Sequence, residues 1–288
     1  MASFTVRTVL GDPVAWDISL LPPSTPRDVD ELRRCKSHKH YEGSLLVKLP
    51  EFAAVLDVGG HFGDTTITLA LRASSIGRGD LRFFYFEPSK AKCGFVRAMI
   101  ESNELGNVHV INKAVGDRCQ KVRGVPTAKG SVHGGNRRYQ TAETDSSDAT
   151  LDATGVSLEP KASDSVLSDI DPSDSDSSDD DDDTVYSMIT LDSIKDTLTA
   201  DGPVGLIHID VEGWESRVLT GASNLLQSSA CSDTTVIAEA WTENEAKKRG
   251  MSDPVYSIVA AMKPFSPFIR LPDIVDQERN VVYKSSIT

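Results

Sequence analysis

The stretch Ala53-Ala54-Val55-Leu56-Asp57-Val58-Gly59-Gly60-His61-Phe62-Gly63-Asp64-Thr65-Thr66 limits the folds open to this chain. A short apolar run ends on a carboxylate, and three glycines follow within five residues. Ile67, Ala70 and Leu71 then fall at i, i+3 and i+4, the spacing of a helix face, with Asp64 or Thr65 as its N-cap. Strand, tight turn and helix start make the first half of a βαβ unit. Glycines at such a turn let the backbone reverse sharply and approach a ligand closely. In open α/β sheets that position, the carboxyl end of a central strand, is where ligands bind.

The ligand class follows from what the turn lacks. The order Gly59-Gly60-x-x-Gly63 is not the Gly-x-Gly-x-x-Gly of dinucleotide sites, and no Gly-Lys-Ser/Thr follows as in a P-loop. Asp57 would repel a pyrophosphate but suits a cofactor carrying an amino group and a sulfonium, namely S-adenosylmethionine. Read alone, the turn also fits a buried strand with no ligand.

The rest of the chain alternates strands and helices. Leu81–Phe86 reads as a second strand, ending at Glu87-Pro88, 30 residues after Asp57. A carboxylate there can accept hydrogen bonds from both hydroxyls of a ribose; a solvated turn residue is the alternative. Ser89 caps a helix with Phe95, Val96, Met99 and Ile100 as its buried stripe and Gly106 as its stop. Val108–Asn112 is a third strand, Val204–Asp210 a fourth, Thr234–Trp241 a fifth and Asn280–Tyr283 a terminal one. Trp214, Val218, Leu219 and Ala222 line a helix continued by Leu226, and Asp253-Pro254 opens a helix through Met262. This alternation predicts an α/β domain with a mostly parallel central sheet and helices on both faces.

Charge matters in one place. The net charge is −13, but Glu143 to Asp183 hold 13 Asp, 2 Glu and 1 Lys, a local balance of −14. The remaining 28 acidic and 29 basic residues balance at +1, without the basic face of a nucleic-acid binder. The Asp/Ser-rich stretch holds no aromatic residue and cannot bury enough apolar surface to offset its ordering entropy, so it reads as a disordered insertion at 143–183 inside one domain. Several of its serines have an Asp three residues on, such as Ser177 with Asp180, a pattern that suits an acid-directed kinase as well as a solvating spacer.

Residues 1–40 are poorly patterned, and the domain proper is read as 41–288. Cys35-x-x-His38-x-His40 invites a metal reading, but no second cluster completes four ligands and Lys36 and Lys39 interleave it, so we read no metal site. The four cysteines are widely spaced, which argues for reduced thiols. With no leader-like N-terminus and no run near the ~18 apolar residues of a membrane span, the expectation is a cytoplasmic protein with no membrane partner.

With these blocks placed, the chain resembles the FkbM family of S-adenosylmethionine-dependent methyltransferases. The residues that carry the resemblance are Asp57-Val58-Gly59-Gly60-His61-Phe62-Gly63, Phe86-Glu87-Pro88 with Asn103, Ala114-Val115-Gly116-Asp117, Thr190-Leu191-Asp192-Ser193, and His208-Ile209-Asp210-Val211-Glu212-Gly213-Trp214-Glu215 through Ala222. The coverage runs from about Tyr41 to Tyr283. His61 stands where the family has Asn, and His208 where it often has Lys.

The resemblance implies a class I methyltransferase-like, Rossmann-like domain. It implies that S-adenosylmethionine is held by Asp57, Gly59, Gly60, His61, Gly63, Thr65, Glu87, Asn112, Lys113 and Ala114. It implies methylation of a hydroxyl on a small molecule or sugar rather than nucleic acid, with Asp210 first and His208 second as general base. Glu212 is read either in the site or as a cap of the following helix. A methyltransferase-like fold kept as a binding module, its acidic segment recruiting a basic protein, is the rival reading; a nucleotide enzyme of another class fails on glycine spacing.

Overall fold

The computed structural model describes residues 3–7, 13–17, 43–126, 137–141, 185–240, 254–265, 268–271 and 280–285. The acidic insertion, the Cys35–His40 cluster and Trp241 lie outside them. Among the described residues no helix is long and apolar enough to cross a membrane, and no group of His, Cys, Asp or Glu could hold a metal ion.

Two short strands, β1 (Ser3–Arg7) and β2 (Pro13–Asp17), form an antiparallel hairpin in the segment whose pattern predicted nothing. The central sheet begins with β3 (Ala54–Val58), β4 (Arg82–Phe86) and β5 (Val108–Ile111). A smaller sheet contains β6 (Ala114–Val115), β7 (Gln120–Pro126), β8 (Arg137–Thr141) and β9 (Val185–Ile189). The chain returns to the central sheet in β10 (Val204–Ile209), β11 (Thr235–Glu239), β12 (Phe268–Arg270) and β13 (Asn280–Ser285). The helices are α1 (Asp64–Ser75), α2 (Lys90–Ser102), α3 (Lys195–Thr199), α4 (Glu215–Thr220), α5 (Ser223–Leu226) and α6 (Pro254–Met262).

The central sheet has seven strands in the order β12-β13-β11-β10-β3-β4-β5. Strands β11, β10, β3, β4 and β5 are parallel, and β13 runs antiparallel to both β11 and β12. This is the class I architecture that the resemblance implies. β3 and β10 are buried along their whole length because both faces are covered, as a parallel sheet requires. On one face Leu56, Phe84, Ile207 and Val236 pack against Val218 and Leu219 of α4 and Ile258 of α6. On the other, Val55, Phe83, Leu206 and Ile237 pack against Ile67 and Ala70 of α1 and Phe95 and Met99 of α2. From β3 the chain builds outward through β4 to β5, then crosses to β10 on the other side. The strand order therefore reverses between β3 and β10, which opens a crevice at their carboxyl ends.

Three local expectations change. Gly63, not Asp64 or Thr65, occupies the N-cap of α1, in the left-handed region (φ 76°) and without a side-chain cap. α2 ends at Ser102, four residues before Gly106, because the side chain of Asn103 donates to the Met99 carbonyl and Glu104 turns left-handed (φ 56°). The helix expected from Trp214 through Leu226 breaks at Gly221 into α4 and α5.

The N-terminal hairpin is tied to the body by Trp16. It is fully buried, and its ring stacks on Phe95 of α2, 6.1 Å between centroids.

Candidate functional site

Four neighbouring strand ends gather the residues singled out above: Asn112, Lys113 and Ala114 after β5, Glu87 after β4, the turn Gly59–Gly63 after β3, and Asp210 after β10. β7 and β8 pair as an antiparallel hairpin. The core of their small sheet, Ala114, Val122, Tyr186 and Met188, packs against Trp214, which follows Asp210.

The turn rests on a polar floor. Val282, Ile237, His208, Asp57, Tyr85 and Val110 stand in register across six strands and so share one face of the sheet. The row is apolar except at its centre. There Asp57 (3% exposed) accepts from His208 Nδ1 at 3.0 Å and from Thr66 Oγ1 of α1 at 2.5 Å. One carboxylate thus ties β3 to β10 and to the helix that follows the turn. The Tyr85 hydroxyl donates to the His61 carbonyl and pins the tip of the turn from below.

Two glycines are demanded by this packing. A Cβ on Gly60 would lie 2.4 Å from the Tyr85 ring and 3.0 Å from Asp57 Oδ2. A Cβ on Gly59 would lie 1.9 Å from the Asp210 carbonyl oxygen, and Gly59 has φ 88°. The turn and the end of β10 are in backbone contact, reinforced by Asp210 N–H donating to the Val58 carbonyl at 2.9 Å.

His61 is left-handed (φ 48°) with its ring edge-on to Phe62; burial and then Lys92 hold its imidazole well below the usual pKa. Thr65 is buried in the first turn of α1. Glu87 is buried, and its Oε1 accepts the Ser89 N–H at 3.0 Å. Asn112 turns toward the strand end beside it: its amide donates to the carbonyls of Glu87 (3.0 Å) and Pro88 (2.8 Å) and so holds the Glu87 turn. Lys113 is half-buried, and Ala114 is buried in β6.

His208, on β10, belongs to the polar floor of the turn. It is 6% exposed, and Nδ1 is engaged by Asp57. Asp210, one residue beyond the strand, is half-buried at the crevice. The helix-capping role weighed for Glu212 falls to Glu215, three residues on in the same motif block. Glu215 accepts the N–H groups of Val211 and Gly213 at 3.2 and 3.0 Å, while Glu212 itself is left-handed (φ 56°). Thr66 and Tyr85 were visible only as helix and strand residues, and Glu215 only as a residue of the Asp210 motif block; nothing in their spacing marked the roles they take.

The electrostatics favour a cation. The Tyr85 phenol is pushed well above its usual pKa, first by burial and then by the carboxylates Glu87, Asp57 and Asp64 around it. Such a field suits an ammonium and a sulfonium and opposes a phosphate, so the donor set fits S-adenosylmethionine.

The family model described as "Methyltransferase FkbM domain" matches residues 57–246. No curated protein matches the chain. Among solved structures, an S-adenosylmethionine-dependent methyltransferase from Aquifex aeolicus is 11% identical with a TM-score of 0.42, over 89% of this chain and 97% of that one. SMU.1697c from Streptococcus mutans, in complex with SAH, is 9% identical with a TM-score of 0.41, over 86% and 98%. An rRNA methylase from Streptococcus thermophilus is 10% identical with a TM-score of 0.38, over 86% and 95%.

Proposed function

From the premise that the chain belongs to the FkbM methyltransferase family, and is an S-adenosylmethionine-dependent methyltransferase, we propose that it methylates a hydroxyl oxygen of a small molecule or sugar. The observation that carries this reading is the position of Asp210. Its backbone touches the turn through Val58 and Gly59, which brings a half-buried carboxylate to the crevice beside the cofactor turn.

S-adenosylmethionine, when bound, supplies a methyl group already activated by a sulfonium. The chain must hold the acceptor in line and take its proton. An alcohol gives up that proton reluctantly, so a carboxylate beside the turn suits an oxygen acceptor. Asp210 is the base in this reading. Orientation of the acceptor can lower the barrier by several kcal/mol more.

Glu87 would hold the ribose hydroxyls, with Asn112 fixing the turn on which Glu87 stands. Gly59, Gly60, His61, Gly63 and Thr65 would line the cofactor from the turn and the start of α1, and Lys113 and Ala114 from the end of β5. Asp57 would act through the turn it braces, and His208 through Asp57. His208 is therefore assigned as a positioning residue.

The test uses labelled S-adenosylmethionine with a panel of sugars, polyols, amines and RNA. The expected product is a methyl ether stable to mild base. A base-labile methyl ester, an N-methyl product or label in RNA would refute the acceptor class. Asp210→Asn should lower kcat by roughly 100- to 10,000-fold with cofactor affinity within about threefold. Glu87→Ala should instead weaken cofactor binding by roughly 30- to 150-fold, the equivalent of about 2–3 kcal/mol; an unchanged dissociation constant would make Glu87 a turn residue only.

A further inference from the structure

The loop Asp210–Trp214 joins β10 to α4 with an unusual backbone. Two consecutive residues, Glu212 (φ 56°) and Gly213 (φ 98°), are left-handed. A non-glycine residue in that region costs on the order of 1–2 kcal/mol and persists only where the surroundings hold it. The partners of the loop's N–H groups show what holds it. Asp210 donates to Val58, and Trp214 donates to Val211 at 3.3 Å within the loop. Val211 and Gly213, on either side of Glu212, both donate to one atom, Oε1 of Glu215.

Glu215 is poorly placed for an ordinary carboxylate. It is 3% exposed, on the first turn of a helix anchored in the core by Val218 and Leu219. Burial, with Asp210 adding to it, pushes its carboxyl up to about 7 against the backbone donors that lower it. A buried acid beside another acid is costly unless it is hydrogen-bonded, and the loop's two N–H groups supply those bonds. Across the loop, the Arg217 guanidinium stacks on the Trp214 ring at 4.3 Å and closes the same segment from the helix side.

We infer that Glu215 is a positioning residue for methyl transfer: its buried carboxylate fixes the left-handed loop after β10 and thereby sets Asp210 against the cofactor turn. The inference rests on the reading of Asp210 as base. A displacement of Asp210 by about 1 Å is enough to cost on the order of 100-fold in rate. Glu215 touches neither acceptor nor cofactor in this role.

The test compares full-length Glu215→Ala, Glu215→Gln and Asp210→Asn by amide exchange, calorimetry with S-adenosylmethionine, and turnover of the acceptor found in the panel. In Glu215→Ala the amides of Val211 and Gly213 should exchange on the order of 100-fold faster while β3 and β10 stay protected. Cofactor affinity should hold within about threefold, and kcat should fall on the order of 100-fold with KM unchanged. Glu215→Gln keeps an acceptor oxygen, so it should restore the protection and most of kcat. Unchanged exchange in Glu215→Ala, or full kcat despite faster exchange, overturns the inference. Should Glu215→Ala fail to fold, fast exchange at Val211 and Gly213 in Glu215→Gln overturns it equally. Full turnover in Asp210→Asn refutes the base assignment and, with it, this role of Glu215; faster loop exchange in Glu215→Ala would then remain as a loop effect without catalytic consequence.

Discussion

Replacing Gly59 by alanine separates a turn that packs on β10 from one that is merely flexible. The new methyl would start 1.9 Å from the Asp210 carbonyl oxygen and 2.8 Å from its carbonyl carbon. An ordinary contact needs about 3.4 Å, so the turn and the strand end must part by about 1–1.5 Å. The obstacle is backbone on both sides, and no side-chain rotation relieves it. Overpacking of this kind costs about 1–3 kcal/mol, and a non-glycine residue held at φ 88° adds about 1–2 kcal/mol. The sum, about 2–5 kcal/mol, corresponds to a fall in melting midpoint of roughly 5–15 °C for a domain of this size. Movement of the turn also carries the cofactor residues away from Asp210, so S-adenosylmethionine affinity should fall at least tenfold. Differential scanning calorimetry and isothermal titration read the two effects. An alanine variant with an unchanged midpoint and an unchanged dissociation constant would refute both the backbone contact and the assignment of the cofactor to this turn.

The buried pair on the sheet's floor gives a second prediction. His208→Ala should destabilise the protein by about 3–5 kcal/mol, because Asp57 keeps its burial but loses one of its donors; adding Asp57→Asn should recover part of this, and urea denaturation of the three proteins checks it. Glu215 makes stability pH-dependent. Its folded pKa of about 7 lies above its ordinary value of 4.5, so between these pH values the folded state keeps a proton that the unfolded state releases. Its contribution therefore falls as pH rises from about 4.5 to about 7 and is flat on either side, a change of order 3 kcal/mol for a carboxyl this buried. The stability difference between wild type and Glu215→Gln, measured across that window, should carry this slope; a constant difference would show that Glu215 does not titrate there.

What the sequence determined by itself was local and periodic. The apolar run of β3, its glycines and the helix spacing after them all lie between Ala53 and Leu71, and the turn stands where they place it. The carboxylate after β4 and the Asp210 block were legible for the same reason: each ends an apolar strand, and in a parallel sheet all such ends lie along one edge. The N-terminal hairpin was not legible. Its two strands are neither continuous apolar runs nor followed by a helix pattern, and Trp16 is recognisable as core only once Phe95 is set beside it. β12, with three residues, is too short for a period to emerge. Among the site residues, tertiary structure decided the roles rather than the positions. Asp57 and His208 are 151 residues apart in the chain, and their pairing depends on the register of β3 against β10, which no local pattern encodes. Asn112 reaches back to Glu87, and Glu215 reaches back over a left-handed loop. Propensity and periodicity act over a few residues, whereas a buried polar group takes the partner that the packed sheet brings within about 3 Å.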